Sequence, residues 1–438
     1  MILKGNCLDT LKTLPDCSVD SIVTDPPYEL GFMGKSWDNS GIAYSTELWA
    51  ECLRVLKPGG HLLAFSGSRT YHRMVVAIED SGFEIRDQIM WLYGSGFPKS
   101  KNVALAIDKG EGHPNRGKAI PTASKYQASD VNETNKLTSN HVPPYEAKSE
   151  IAQQWQGWGT ALKPAHEPIV VARKPLIGTV ANNVLTYGTG AINIDGSRVG
   201  TDDSLYRSSS IAQPGTQTMN VGWQSPWKGD AEKVKQANLR TQEKSAIADA
   251  LGRWPANVIH DGSDEVLAGF PEGRSAGKYE RGHVNSSGPA AINIDRAGHE
   301  TTQYSDSGSA ARFFYCAKAS KSERNAGLEG LPERHASEVT GRKIGSAGAK
   351  NGGYSGMSET PRANIHPTVK PLALMRYLVK LVTPPNGTVL DPFLGSGSTA
   401  VAAILEGFEW IGCEMTEDYF SIIEARVEWA LNQPKPMV

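Results

Sequence analysis

The chain has 438 residues, 39% of them hydrophobic, which is more than one hydrophobic core usually fills, so we expect one large domain with an insert or two domains. The formal net charge of −2 excludes no class of partner, because a basic face can lie within a balanced total. The five cysteines form no CxxC pair and no apolar run reaches the length of a membrane span, so we predict no metal site, no disulfide framework, no membrane association and a cytoplasmic location.

Strand and helix patterns alternate in the first part of the chain, up to about residue 110. A strand is predicted at 18–24 (SVDSIVT), a helix at 46–56, a strand at 61–67 after the helix-stopping KPGG, a helix at 68–81 and a strand at 84–94. Strands separated by helices indicate a largely parallel sheet.

The middle of the chain is polar. Residues 110–155 lack periodicity and indicate a loop or mobile insert, 166–175 has strand character, and the region from about 180 to 360 is rich in Gly, Ser and Asn. The α/β alternation resumes at about 366. We therefore predict one sheet domain built from both ends of the chain, with the middle segment as an insert.

The segment VLDPFLGSGSTAVAAILEGFEWIGCE (389–414) reads as strand, glycine-rich turn, helix and strand. Gly395 and Gly397 lack a Cβ atom, so a ligand can approach the backbone closely. Glu414 ends the following strand, where a carboxylate suits the hydroxyls of a ribose. Asp391 ends the first strand and suits a cofactor with an adenosine and a positive charge but no phosphate, such as S-adenosylmethionine.

Other interpretations of this turn differ in how well they fit. A P-loop requires Lys after its last glycine, and Ser398 follows Gly397 here. A dinucleotide site remains open, because Ala400 is an allowed variant of the third glycine. An ordinary glycine-rich turn is also open.

The tetrapeptide Asp25-Pro26-Pro27-Tyr28 follows the first predicted strand. An exocyclic amine of a nucleobase is a poor nucleophile, and a site that activates it must accept hydrogen bonds from both N–H groups. Asp25 can supply one acceptor, and the Pro26 carbonyl the other, because two prolines fix the backbone. Tyr28 offers a flat face for an extruded base. The alternative is a plain turn with proline at favoured positions.

TDPPY (24–28) and DPFLGSGST (391–399), in this order, resemble the β class of S-adenosylmethionine-dependent amino-group DNA methyltransferases. NIHPTVKPLALM (364–375) resembles that family's His-Pro-Thr-x-Lys-Pro segment. The resemblance covers about 1–110, 155–175 and 360–430. It implies a Rossmann-like methyltransferase sheet, mostly parallel and built from both chain ends, with a large central insert.

The resemblance also implies roles for individual residues. The catalytic residues would be Asp25, Pro26, Pro27 and Tyr28. The residues that bind the cofactor would be Asn6, His366, Thr368, Lys370, Asp391, Phe393, Gly395, Gly397 and Glu414. In this set Lys370 would hold the carboxylate of the methionine part, and Asn6 stands where the family often has an acid. Trp91 would flank the flipped base, although a bulky strand residue is also typical of a core.

The implied function is methylation of adenine N6 on a flipped base in duplex DNA, because an Asp before Pro-Pro-Tyr usually accompanies adenine in this family and a Ser accompanies cytosine N4. Cytosine N4 methylation, RNA methylation and a non-catalytic nucleic-acid-binding module remain alternatives. By the same resemblance, residues 1–180 with 360–438 form the catalytic domain and 185–355 the target-recognition region. A homodimer and, if present, a restriction nuclease on a separate chain are the expected partners.

Overall fold

The computed structural model describes residues 1–30, 36–96, 100–112, 145–201, 231–274, 307–317, 321–334 and 363–434. The chain divides into two compact units, one formed by 1–94 with 166–438 and the other by 95–165.

In the described part of the chain, the larger unit contains a nine-stranded sheet and a two-stranded sheet. The strands are β1 (Ile2–Lys4), β2 (Val19–Thr24), β3 (Leu56–Phe65), β4 (Glu84–Leu92), β5 (His166–Arg173), β6 (Val258–His260), β7 (Glu272–Arg274), β8 (Ser307–Ser309), β9 (Tyr315–Cys316), β10 (Thr388–Asp391) and β11 (Glu409–Glu414). The order in the large sheet is β1-β11-β10-β2-β3-β5-β4-β6-β9, and among these described strands β5 alone runs antiparallel to its neighbours.

The α-helices of the described residues connect these strands. They are α1 (Cys7–Leu11), α2 (Thr46–Val55), α3 (Tyr71–Asp80), α4 (Val103–Gly110), α5 (Glu150–Gln154), α6 (Val180–Tyr187), α7 (Ala231–Leu251), α8 (Asp264–Leu267), α9 (Lys321–Asn325), α10 (Leu372–Val382), α11 (Ser398–Leu405) and α12 (Phe420–Leu431). Within these residues, no helix combines the length and apolar character that a membrane crossing requires.

Two apolar cores lie on opposite faces of the large sheet. Alternate side chains of β3 divide between them: Leu62 and Ala64 pack with α1, α2 and α3, whereas Leu63 and Phe65 pack with α10 and α11. This alternation follows from the two-residue period of a strand. The larger unit is therefore a three-layer α/β/α structure.

Helix α2 shows how the local sequence builds one of these faces. Ser45 caps the helix, because its Oγ accepts from the Leu48 N–H at 3.3 Å. Trp49 and Cys52 lie on the same helical stripe as Leu48 and are fully buried.

The two ends of the chain meet at the centre of the sheet. Strand β10 pairs in parallel with β2, and the buried hydroxyls of Ser21 and Thr383 are 2.8 Å apart. From this pair of strands, α2 leads from β2 to β3 on one side, and α11 leads from β10 to β11 on the other. The chain therefore reverses its direction of winding between β2 and β10, which is where open α/β sheets bind ligands. The predicted mostly parallel sheet built from both chain ends is confirmed.

Some predicted elements differ from the observed ones. Strand β3 begins at Leu56, before the KPGG stretch that we expected to precede it. Lys174 pairs its backbone N–H with the Gly60 carbonyl and its carbonyl with the Gly59 N–H, so the glycines extend the strand. A Cβ on Gly59 would lie 2.4 Å from Asn183 Nδ2, so only glycine fits there.

The polar middle contains more regular structure than predicted. The 21-residue helix α7 lies in the region from 180 to 360, and β6 and β9 from that region extend the large sheet. The assignment of 185–355 to target recognition stays a prediction.

The smaller unit begins after β4 and ends before β5. Its described residues form α4 and α5, and the Asp108 carboxylate accepts hydrogen bonds from the Tyr145 hydroxyl and from the backbone N–H groups of Lys148 and Ser149. Part of the loop predicted at 110–155 is therefore helical, and residues 113–144 of it lie outside the described residues.

Replacing Leu62 with Ala tests the importance of the sheet core. Leu62 is fully buried on β3, so we expect the free energy of unfolding to fall by about 2–5 kcal/mol. The matched control is Leu185→Ala on α6, where the side chain is 86% exposed, and its effect should stay within about 0.5 kcal/mol. Urea unfolding followed by circular dichroism measures both, and equal losses would contradict the assigned core.

Candidate active site

Three of the predicted site residues, Asp25, Asp391 and Glu414, lie at the sheet edge where β2, β10 and β11 end. Asp25 directly follows β2, and Asp391 ends the adjacent strand β10. The Thr24 hydroxyl donates to Asp391 Oδ1 at 2.6 Å, so the two motifs are joined directly. Asp25 and Asp391 therefore lie at the same end of two neighbouring strands.

The two oxygens of the Asp25 carboxylate differ in their hydrogen bonding. Asp25 Oδ2 accepts a hydrogen bond from the Lys370 ammonium at 2.6 Å. Asp25 Oδ1 is buried and has no hydrogen-bond partner among the described residues. An unpaired buried carboxylate oxygen is costly, so this atom is suited to accept a donor from a ligand.

Lys370 lies between two carboxylates and two aromatic rings. Its Nζ atom is 3.4 Å from Glu167 Oε2, and it faces the rings of Tyr28 and Phe65 at 5.2 Å and 4.9 Å. Burial lowers the pKa of Lys370, but Asp25 and Glu167 outweigh that effect and raise it above its ordinary value. Lys370 therefore carries its charge at neutral pH.

Tyr28 is held at both its backbone and its hydroxyl. The hydroxyl donates to Glu167 Oε2 at 3.0 Å, and the Tyr28 carbonyl accepts from the Thr70 hydroxyl at 2.8 Å. Burial and the nearby carboxylates of Asp25 and Glu167 raise the pKa of Tyr28, so the phenol stays neutral. The following residue, Glu29, has a φ of 55°, and Asp38 accepts from its backbone N–H at 3.0 Å.

Asp391 organises the start of the glycine-rich loop. Its Oδ2 accepts from the Thr399 hydroxyl at 2.6 Å, and its Oδ1 also accepts from the Phe393 N–H at 3.0 Å. Burial raises the pKa of Asp391 to about 6, although the hydrogen bonds from Thr24 and Thr399 oppose this. Asp391 therefore holds the loop that it was predicted to precede.

Glu414 at the end of β11 contacts the same loop. Its Oε2 accepts from the Gly395 N–H at 2.8 Å, and its Oε1 accepts from the Thr416 N–H at 2.7 Å. Burial raises the pKa of Glu414. Each carboxylate oxygen has a second lone pair, so the predicted ribose contact is compatible with these bonds and stays a prediction.

Arg426 on α12 supports the loop from the protein interior. It is 2% exposed, and its Nη1 donates to the Ser396 carbonyl at 2.6 Å and to the Ser398 hydroxyl at 3.1 Å. Burial and the charge of Arg324 lower the pKa of Arg426 to about 10, so it remains a cation.

The His-Pro-Thr-x-Lys-Pro segment connects the loop to Asp25. A Cβ on Gly395, which has a φ of +54°, would lie 2.8 Å from His366 Nε2. The His366 Nδ1 bonds the Thr368 carbonyl at 2.9 Å. Burial, aided by the charges of Arg324 and Lys370, lowers the pKa of His366 to about 3, so the imidazole is neutral. Lys370, four residues later, binds Asp25, and its predicted contact with a cofactor carboxylate stays a prediction.

Two further predicted residues have other contacts in the structure. The Asn6 side-chain oxygen accepts from the Leu8 N–H at 2.9 Å and caps α1, while the residue is exposed. Trp91 is 9% exposed within the core, with its ring centroid 5.2 Å from that of Tyr93. Its Nε1 has no partner among the described residues. The adenine contact of Asn6 and the base contact of Trp91 stay predictions.

The sequence patterns do not indicate Glu167, Arg426 or Thr70. Glu167 stands near the start of the apolar strand HEPIVVAR, and a strand start lies at the same sheet edge as Asp25 only when that strand is antiparallel, which the sequence does not reveal. Arg426 and Thr70 lie on or beside ordinary amphipathic helices, where a polar residue usually faces solvent.

The N6_N4_Mtase family model, described as DNA methylase, matches residues 19–425. The chain belongs to this family. Its members use S-adenosylmethionine as the methyl donor.

Curated relatives match this member of the family over short stretches. The type II methyltransferase M.HpaI of Haemophilus parainfluenzae is 35% identical over 113 residues, or 24% of this chain and 36% of the relative. M.HindIII of Haemophilus influenzae is 31% identical over 151 residues, or 34% of this chain and 37% of the relative. The chain thus spans little more than a third of the length of these curated relatives.

A solved structure titled PvuII DNA methyltransferase (cytosine-N4-specific) aligns with 97% of this chain and 85% of its own, at 13% identity and a TM-score of 0.40.

The described residues fit S-adenosylmethionine at the glycine-rich loop. A Cβ on Gly395 would lie 2.8 Å from His366 Nε2, so the glycine lets this ring pack against the loop, and the neutral imidazole adds no positive charge that would repel a sulfonium. Asp391 and Glu414 supply negative charge on either side of the loop. We expect Asp391, Gly395 and Glu414 to hold the cofactor.

Replacing Gly395 with Ala tests this location. The new Cβ would press on His366, whose ring is held by Thr368, so we expect the affinity for S-adenosylmethionine to fall about tenfold to a hundredfold. The matched control is Gly407→Ala, which shares a positive φ (+81°) but whose Cβ meets no atom within 4 Å. Isothermal titration calorimetry measures both affinities, and equal effects would place the cofactor elsewhere.

Proposed function

We propose that this protein is a site-specific DNA methyltransferase that transfers a methyl group from S-adenosylmethionine to adenine N6 of a flipped base in duplex DNA. The supporting observation is the open Asp25 Oδ1 atom, which is buried and lies at the edge of the sheet where the glycine-rich loop begins. A carboxylate oxygen at this place can accept an N–H from an exocyclic amine.

The residues around Asp25 have separable tasks in this proposal. The Pro26 carbonyl is the second acceptor for the amine, and the Tyr28 ring, fixed by Glu167 and Thr70, supports the base by stacking. The cofactor supplies an electrophilic methyl group on a sulfonium. The protein therefore acts by orienting the amine and by providing negative charge where positive charge develops.

The choice of adenine rests on Asp25, because an Asp at this position usually accompanies adenine in the family that the sequence resembles. Cytosine N4 is the second candidate, since its amine offers the same two N–H donors. An RNA substrate is less favoured, because the long segment 185–355 suits the reading of a duplex. We propose this segment as the target-recognition region, and 1–180 with 360–438 as the catalytic domain.

We also propose a homodimer as the active assembly. A restriction nuclease, if one accompanies this methyltransferase, would be a separate chain.

Replacing Asp25 with Ala should abolish methylation and leave cofactor binding intact. Asp25 accepts from the amine in this proposal, so we expect at least a hundredfold loss of single-turnover rate with tritiated S-adenosylmethionine and duplex DNA. Isothermal titration calorimetry should show cofactor affinity within about threefold of the parent. The control is Asp16→Ala, which removes an exposed carboxylate paired with Arg54 at 2.6 Å. Full activity of the Asp25 variant would overturn the assigned site.

Mass spectrometry of nucleosides identifies which base is methylated. DNA from a host that expresses this protein should contain N6-methyladenine, and DNA from a host expressing the Asp25→Ala variant should not. N4-methylcytosine without N6-methyladenine would contradict the choice of adenine. Faster turnover on RNA than on duplex DNA in vitro would contradict DNA as the substrate.

A further inference from the structure

Glu167 carries contacts that the proposed function does not use. It lies near the start of β5, and because β5 is antiparallel, this end lies at the same sheet edge as Asp25. Its side chain is one-fifth exposed, and its Oε2 atom both accepts from the Tyr28 hydroxyl at 3.0 Å and lies 3.4 Å from Lys370 Nζ. Glu167 therefore contacts the two residues that surround Asp25.

From this geometry, and resting on the proposed methyl transfer, we infer that Glu167 is a positioning residue that takes over the Lys370 ammonium when Asp25 accepts the proton of the methylated amine. Lys370 is 9% exposed and lies within 4 Å of both carboxylates. No movement of the backbone is needed for the ammonium to shift from one to the other, because the two contacts differ by less than 1 Å.

The reaction requires such a proton acceptor. The amine nitrogen forms a bond to the methyl carbon while the bond from that carbon to sulfur breaks, and sulfur keeps the electron pair. The positive charge passes from sulfur to nitrogen and is removed when a proton leaves the nitrogen. Asp25 Oδ1 is the open acceptor for this proton.

Charge explains why Asp25 needs Glu167. The Lys370 ammonium and the carboxylates of Asp25 and Glu167 form a charged cluster. With both carboxylates ionised, the cluster has a net charge of −1, and this charge becomes zero when Asp25 is protonated. Without the Glu167 charge, the cluster would pass from zero to +1, leaving a buried ammonium without an ionised partner. An unpaired buried charge is strongly unfavourable, so Asp25 would resist protonation.

The environment of Glu167 suits this role. Burial raises the pKa of Glu167, although the Lys370 charge opposes this effect, so the carboxylate is a stronger base and a better partner for an ammonium. Burial also raises the pKa of Tyr93, so this nearby phenol contributes no charge at neutral pH. The titratable groups that face the cluster are Asp25 and Tyr28 from the loop after β2, Tyr93 from the end of β4, His366 and Lys370 from the segment before α10, and Asp391 from the end of β10.

Glu167→Gln tests the inference, because an amide keeps the size of the side chain and an oxygen for the Tyr28 hydroxyl while removing the charge. In the cofactor-free enzyme, 13C NMR with aspartate labelled at its carboxylate carbon identifies Asp25 as the signal absent from Asp25→Asn. We expect this signal to change its chemical shift at pH 7 in Glu167→Gln, because Lys370 then pairs with Asp25 alone.

The same variant is tested for activity. We expect the single-turnover rate of methyl transfer at pH 7 to fall roughly tenfold and the acid limb of its pH profile to move to lower pH. The affinity for S-adenosylmethionine should be unchanged. The matched control is Glu84→Gln on β4, which removes a strand carboxylate paired with Arg173 at 2.6 Å and should alter neither the Asp25 NMR signal nor the rate.

An active parent together with an unchanged Asp25 NMR signal and an unchanged rate in Glu167→Gln would overturn this inference and leave the proposed function standing. An effect of equal size in Glu84→Gln would also overturn it, because the change would then be a general loss of structure. A parent that methylates neither adenine nor cytosine in DNA would instead overturn the proposed function, and the inference with it.

Discussion

The parallel pairing of β10 with β2 is the constraint on which the site depends. It places the last residues of two strands, Thr24 and Asp391, within hydrogen-bond distance although they are 367 positions apart in the chain. The acid of the first motif and the glycine-rich loop of the second each lie on a short, locally determined turn. Only their shared edge of the sheet makes them parts of one site.

The electrostatics of the site divide into two regions with different requirements. Around Asp25, ionised groups are concentrated, with Lys370 buried between two carboxylates. Around the glycine-rich loop, His366 is kept neutral by burial and by the cations near it, while Asp391 and Glu414 supply the acidic groups. This arrangement offers negative charge to a cationic cofactor, while the cation at the loop, Arg426, donates to the Ser396 carbonyl and the Ser398 hydroxyl from the protein interior.

Much of the fold and of the site could be predicted from sequence, because the signals are local. Asp25 directly follows one apolar strand and Asp391 ends another, so the sequence predicts that both lie at strand ends. Glu167 was missed because its partner Tyr28 is 139 residues away, and no local pattern marks such a contact. Helix α7 was missed because its 21 residues form no apolar stripe, although Ala, Glu, Lys and Gln favour helix.

The position of β10 in the sheet also determines which strand edges are unpaired in an incomplete chain. In the folded chain β2 lies between β3 and β10, so its β10 side has no partner until residues 388–391 have been synthesised, and β1 likewise has no partner before β11. An unpaired strand edge can join another chain. Polypeptides that end before residue 388 would therefore have an unpaired edge on β2. We expect such polypeptides to self-associate and to require chaperones.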